Sequence, residues 1–271
     1  MSPRAARTRR DWLQLGMVAL LVMAAPSGAF AVSPCQISYP SDALVEWTCR
    51  RLASGETLQS VFGEQWTDVA RFNRIDRRHA VAGVSIKAPV RLADIAGFSP
   101  LPEISGAGED DAQLIIVDLG EQFAGAYEHG RLAFALPIAS GRASHPTPTG
   151  EFRISAFDRD HRSSLYFVQG TRTRYPMHYG LRFHVTPGGV AYWMHGRDMP
   201  GFPASHGCIG LFDEPMQKTV YRSPKEPVLM DARRLYEWVI GDLPDRGNLE
   251  LFEGPRVIVR GDLPAVRRAQ K

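Results

Sequence analysis

From residue 113 onward the chain is built of short runs in which apolar and polar positions alternate, the period-two pattern of strands. Leu114-Ile115-Ile116-Val117-Asp118 predicts one strand, and Gln122 to Glu128 with Leu132 to Ile138 predicts a hairpin turning at His129-Gly130. Further strands are expected over Phe152 to Ala156, Leu181 to Val185 and Val190 to His195, with Pro187-Gly188-Gly189 as a tight turn. A helix is expected over Asp231 to Val239, and a last strand over Arg256 to Arg260. Many short strands and one clear helix predict a mainly β domain over residues 113–261, followed by a tail over 262–271.

The first third has a different texture. A short strand around Leu44-Val45-Glu46-Trp47-Thr48 is followed by Ser54-Gly55-Glu56-Thr57-Leu58, where Ser54 or Thr57 is placed to cap a helix. Trp66, Val69, Ala70 and Phe72 then recur at helical spacing, and Val81 to Pro89 reads as a turn into a closing strand. This strand, helix, helix, strand order resembles a LysM module, the small α+β fold that grips peptidoglycan glycans. The resemblance implies a wall-binding unit over 32–92. Ala82-Gly83 stands where that family usually has Pro-Gly, and Cys49 falls just after the first strand. A generic α+β cap packed on the next domain fits the same pattern. Residues 93–112, broken by Pro100, Pro102, Gly106 and Gly108 and carrying Glu109-Asp110-Asp111, are expected to link the two parts.

Residues 1–31 read as an export leader. Arg4, Arg7, Arg9 and Arg10 precede an apolar core from Leu13 to Ala25, and Ala29-Phe30-Ala31 offers a small-x-small cleavage pattern before Val32. The apolar run is short for a membrane span. Thr8-Arg9-Arg10-Asp11-Trp12-Leu13 also resembles a twin-arginine signal, and both export routes remain open. The leader changes the charge balance. The whole chain has 32 basic and 29 acidic residues, a formal +3. Without the leader's four arginines and one aspartate, 28 of each remain, so the basic excess is no argument for a nucleic-acid partner. A periplasmic or secreted protein is the expectation.

An oxidising compartment gives the three cysteines meaning. Cys35 and Cys49 lie close enough in sequence to pair, which leaves Cys208 as the odd thiol; two unpaired buried cysteines are the alternative. Cys208 ends the run Ser205-His206-Gly207-Cys208, and His195-Gly196 lies just upstream. An ordinary thiol is mostly protonated at neutral pH, so a nucleophilic one needs a base or a field of N–H groups. His206 is near in sequence, while His195 ends an alternating strand in which Trp193 and His195 share one face and Tyr192 and Met194 the other. Gly207 lets the backbone approach a substrate carbonyl. His129, His145, His161, His178 and His184 read as turn, loop or packing residues. No common zinc spacing is present, so neither a metal nor another cofactor is expected.

The segment His195-Gly196 … Ser205-His206-Gly207-Cys208-Ile209 resembles the signature of the L,D-transpeptidase (YkuD) family. Ile115 to Leu119, Pro137-Ile138-Ala139-Ser140-Gly141, Thr147-Pro148-Thr149-Gly150-Glu151-Phe152 and Pro176-Met177 lie where that family has similar stretches. The resemblance implies a β-rich catalytic fold, Cys208 as nucleophile and His195 as general base. It further implies that Ser205, His206 and Gly207 shape the site and its oxyanion hole.

Two departures stand out: Gly210 occupies the position where the family usually has Arg or Asn, and only nine residues separate His195 from Ser205. Arg197 is a candidate to supply the missing contact, and Tyr192 and Trp193 are candidates to line the substrate groove. The implied partners are peptidoglycan stem peptides and glycan strands, with a wall-anchored protein as a further acceptor. The implied reaction is cysteine acyl transfer making 3→3 crosslinks or attaching proteins to the wall. An L,D-carboxypeptidase or endopeptidase on the same scaffold shares its first half, and a noncatalytic peptidoglycan-binding protein is the rival from another class.

Overall fold

The computed structural model describes residues 32–267; the leader expected over 1–31 therefore lies outside the described residues. Near its start, β1 (Ile37–Ser38) is followed by a 3-10 turn that opens at Pro40, where the Tyr39 amide donates to Asp42 Oδ2 at 2.9 Å. That turn takes up Leu44, expected as strand, and β2 begins later than its apolar pattern suggests, running over Trp47–Arg51 with Cys49 inside it. Cys49 is joined to Cys35 by a disulfide, with Cα atoms 5.8 Å apart.

Thr57 caps α1 (Leu58–Phe62): its hydroxyl accepts from the Ser60 amide while Ser60 Oγ accepts from the Thr57 amide. Next come α2 (Trp66–Phe72) and β3 (Ser85–Pro89), which pairs antiparallel with β2. Leu58, Phe62, Trp66, Val69, Phe72 and Ile86 are buried between these elements.

The strand-rich part holds two five-stranded sheets. In chain order its elements are β4 (Leu114–Asp118), β5 (Phe123–Glu128), β6 (Arg131–Pro137), β7 (Gly150–Arg153), β8 (Ala156–Asp158), β9 (Arg162–Phe167), β10 (Arg174–Pro176), β11 (Gly180–Val185), β12 (Ala191–Arg197) and β13 (Ile209–Phe212). They continue with α3 (Glu214–Tyr221), α4 (Asp231–Ile240), β14 (Glu250–Leu251), β15 (Arg256–Arg260) and β16 (Ala265–Val266). One sheet has the order β6-β5-β4-β15-β7 and the other β13-β12-β11-β8-β14, while β9 and β10 form a separate hairpin. The β5–β6 turn falls at His129 and Gly130, both at positive φ (46° and 74°), the backbone a tight hairpin requires.

Ile115, Val117, Ala124 and Ala126 of one sheet share a core with Phe157, Leu181, Phe183, Met194, Ile209 and Leu211 of the other. Each large side chain so buried contributes ~1.5–3 kcal/mol. Ala232, Leu235, Tyr236, Val239 and Ile240, at helical spacing along α4, close the same core.

The expected linker and the expected tail both bond to neighbouring elements. Within 93–112, residues 102–105 run beside the β5–β6 hairpin, where Leu132 N donates to Glu103 O at 2.8 Å, Ser105 N to Gly130 O at 2.8 Å and Tyr127 OH to Pro102 O at 2.9 Å. The expected tail over 262–271 contains β16, which pairs antiparallel with β1 (Ile37 opposite Val266). In both segments these bonds give part of the backbone a partner within the protein.

The first part also shares a core with the rest. Ala139, Met199, Phe212 and Leu229 join the apolar cluster of α1, α2 and β3. Arg71 makes a two-pronged ion pair with the buried Asp231, and Arg77 another with the buried Glu214.

Candidate active site

The site is built on β12 and β13, adjacent parallel strands in which Met194 pairs with Ile209 and His195 with Gly210. Met194 and Ile209 are fully buried in the shared core. Alternation along each strand therefore turns Trp193, His195 and Arg197, and likewise Cys208 and Gly210, toward the opposite face. Cys208 stands at the lip of β13 as a half-buried free thiol. Cys208 and His195 thus sit on one face of two bonded strands.

His195 is 5% exposed, and its Nδ1 lies 2.8 Å from the Gly196 carbonyl oxygen. A carbonyl only accepts, so Nδ1 carries the proton and Nε2 is the unprotonated nitrogen. Burial pulls the His195 pKa down to about 3, against the smaller upward pull of that hydrogen bond; Arg197, His161 and His178 push it lower still. The Cys208 thiol is pushed up by burial, opposed by the Trp193 amide and by the positive charge of Arg197. In this geometry the thiol and the imidazole both rest neutral.

The eleven residues between β12 and β13 are held at both ends of their path. Ile75 bridges Pro200, and the Asp76 carboxylate accepts from the Met199 amide at 2.7 Å. Ala204 and Ser205 amides both donate to the Ser140 carbonyl, and the Arg142 amide donates to Ser205 O. Ser205 then organises the turn. Its hydroxyl donates to the Cys208 carbonyl and accepts from the Gly207 amide.

Gly207 has φ +112°, and a Cβ there would stand 2.5 Å from the Tyr192 ring. Thr147 braces the turn from the other side, with Oγ1 accepting from the Gly141 amide at 2.9 Å and donating to the Gly207 carbonyl at 2.8 Å.

Each residue singled out in the sequence has a definite place here. Ser205 and Gly207 form the turn itself, with the Gly207 amide held by Ser205. His206 is exposed: Nε2 lies 2.8 Å from Arg142 Nη2, and the ring packs on His145 and Tyr166 at 4.7 and 4.6 Å. Its pKa is lowered, first by burial and then by Arg142 and His145. Tyr192 packs under Gly207, and Trp193 stacks on His161 at 4.1 Å. Cys35 and Cys49 lie apart in the first segment, in their disulfide.

Sequence reasoning did not anticipate His161 and His178 beside His195, nor Arg142 and Tyr166 on His206. They arrive from strands and loops whose pairing with β12 has no local signal. Among the described residues, no cluster of His, Cys, Asp and Glu is arranged to hold a metal ion, and no helix is long and apolar enough to cross a membrane.

Residues 112–259 match the family model of the L,D-transpeptidase catalytic domain, YkuD. No curated protein matches the chain. Among solved structures, it is similar to an L,D-transpeptidase from Stackebrandtia nassauensis at 21% identity, covering 75% of this chain and 69% of that one, with a TM-score of 0.39. It is similar to Mycobacterium tuberculosis L,D-transpeptidase 1 at 20% identity, covering 55% and 62%, with a TM-score of 0.34. An Enterococcus faecium L,D-transpeptidase matches at 24% identity, covering 55% and 49%, with a TM-score of 0.35. The chain spans 49% to 69% of the length of these relatives.

Proposed function

The chain belongs to the YkuD family of L,D-transpeptidase catalytic domains, and on that premise we propose that it is a peptidoglycan L,D-transpeptidase working through a Cys208 acyl-enzyme. The observation that carries this reading is the presentation of Cys208 and His195 on one face of paired strands, with His195 fixed in the tautomer that leaves Nε2 basic.

In this reading His195 Nε2 takes the thiol proton as Cys208 Sγ attacks the carbonyl of the third, diamino-acid residue of a tetrapeptide stem. The bond to the terminal D-alanine breaks, and the proton held by His195 goes to the departing amine. An amine of a neighbouring stem then attacks the thioester. The C–S bond breaks, a 3→3 crosslink forms and the thiol is regenerated. Attachment of a wall protein would use the same acyl-enzyme with that protein's amine as acceptor.

The βααβ segment is proposed as a LysM-like module that holds glycan near the site, with 32–92, 93–112, 113–261 and 262–271 as the organisation of the exported protein. Export to the periplasm accords with the Cys35–Cys49 disulfide.

The test is intact mass after incubation with a carbapenem, whose strained amide acylates a reactive thiol. One adduct per chain is expected, and none on Cys208→Ala. An adduct that survives that substitution would overturn the assignment. Incubation with a disaccharide tetrapeptide then reads the acceptor: crosslinked dimer with released D-alanine is the expected product, whereas tripeptide alone would mark a hydrolase.

A further inference from the structure

Gly210 is a glycine for want of room. Its φ lies outside the positive range, so the backbone there is one that any residue adopts. A Cβ at this position would stand 1.8 Å from Arg197 Cδ and 2.1 Å from Arg197 Cγ. The Arg197 side chain therefore lies back across β13, through the space a side chain at 210 would fill. It does so two residues past Cys208, on the face that carries Cys208 and His195.

What holds Arg197 there leaves its charge unspent. Its Nε donates to the Asp198 carbonyl at 3.0 Å. The Asp198 carboxylate is turned elsewhere: it accepts from Tyr221 OH at 2.9 Å, Gln217 Nε2 at 3.0 Å and Tyr175 OH at 3.3 Å, and Arg78 Nε lies 3.5 Å away. Among the described residues Arg197 has no carboxylate within ion-pair distance, although it is half-buried. The guanidinium nonetheless bears electrostatically on Cys208, His195 and His206 together. An oriented, unpaired guanidinium beside a nucleophile is a site for a planar anion, which it can bind with two parallel hydrogen bonds.

We propose that Arg197, admitted by Gly210, binds a carboxylate of the acyl donor, so that this enzyme selects peptides bearing a free carboxylate next to the bond that Cys208 attacks. The assignment of a peptide donor rests on the function proposed above; the anion site does not. The leaving D-amino acid's own carboxylate and the side-chain carboxylate of a diamino acid share this chemistry. Arg197 here binds substrate and leaves proton transfer to His195.

Cys208 is the free thiol of the described chain, which gives a test independent of any peptide. The rates of its alkylation by iodoacetate, an anion, and by neutral iodoacetamide are measured on the disulfide-intact protein. Any change in thiolate content moves both rates together, so their ratio reports the local anion site. In Arg197→Gln the iodoacetate-to-iodoacetamide ratio should fall about tenfold, the value of one charge-assisted contact. Gly210→Ala, whose methyl group displaces the arginine, should lower the ratio likewise, and Arg197→Lys should keep most of it. A ratio unchanged in Arg197→Gln overturns the site.

The peptide arm compares a tetrapeptide donor with its C-terminal carboxamide and with a donor whose diamino-acid carboxylate is amidated. Wild type should disfavour one of the two amides by at least about tenfold in kcat/KM, and Arg197→Gln should treat it and the parent peptide alike. Equal use of all three peptides by wild type overturns the substrate assignment. An Arg197-dependent alkylation ratio in a protein that releases nothing from any peptide would support the anion site and overturn the transpeptidase reading.

Discussion

Asp76 and Met199, 123 positions apart in the chain, are joined twice: the Asp76 amide donates to the Met199 carbonyl at 2.8 Å, and the Met199 amide donates to Asp76 Oδ2 at 2.7 Å. The carboxylate also accepts from Gln217 Nε2 at 2.6 Å and from the amide and Nδ1 of His79. One fully buried aspartate thus ties the segment after α2 to the loop that delivers Ser205 and Cys208. Asp76→Ala should leave the Met199 amide unpaired and Gln217 Nε2 with Asp198 alone, and cost at least ~3 kcal/mol, with slower carbapenem acylation of the surviving fold. Urea unfolding and acylation kinetics on the same sample check both effects.

Neither half of the Cys208–His195 pair titrates near neutrality in this geometry. With His195 depressed to about 3 and the Cys208 thiol raised, carbapenem acylation should vary little between pH 5 and 8. A limb in the rate profile near pH 6.5 that vanishes in His195→Gln would contradict the buried neutral imidazole.

The same depression has a sign for stability. Between pH 6.5 and about 3 the unfolded chain binds a proton at residue 195 that the folded protein refuses, so stability falls as pH falls through this window. From pH 7 to 5 the wild type should lose about 2 kcal/mol more than His195→Gln, read from denaturant midpoints at the two pH values.

The turn before the thiol is overdetermined. Gly207→Ala forces a methyl group into Tyr192 at a positive φ, and should reduce acylation by at least about a hundredfold while costing ~1–3 kcal/mol. Thr147→Val, which leaves the Gly141 amide and Gly207 carbonyl without their shared hydroxyl, should cost a similar ~1–3 kcal/mol and slow acylation less.

Thiol titration checks the cysteine assignment. One thiol should react in denaturant without reductant and three after reduction, with Cys49→Ser lowering stability by ~3 kcal/mol for a loop of this size.

What the sequence disclosed and what it hid divide along physical lines. Arg256 to Arg260 reads as a strand because its alternation records one strand's burial, and Thr57 reads as a cap because the cap is local. The same applies to His195 and Cys208: strand alternation and a small-residue turn are properties of a few neighbours. The helix α3 passed unread although Asp213 caps it and Pro215 opens it, because its polar surface lacks an apolar stripe wide enough to notice. β9 and β10 were missed for the opposite reason, since Leu165, Tyr166 and Phe167 are apolar yet exposed. The clamp through Asp76, the two-pronged pairs of Arg71 and Arg77, and the lie of Arg197 over Gly210 depend on tertiary placement. No window of adjacent residues contains them.

The pairing of β1 with β16 joins the two ends of the described chain. Ile37 and Val266 meet across nearly the whole described chain, so this ladder closes only after the final strand has been delivered. Until both ends are present, the edges of β1 and β16 lack each other's backbone partners.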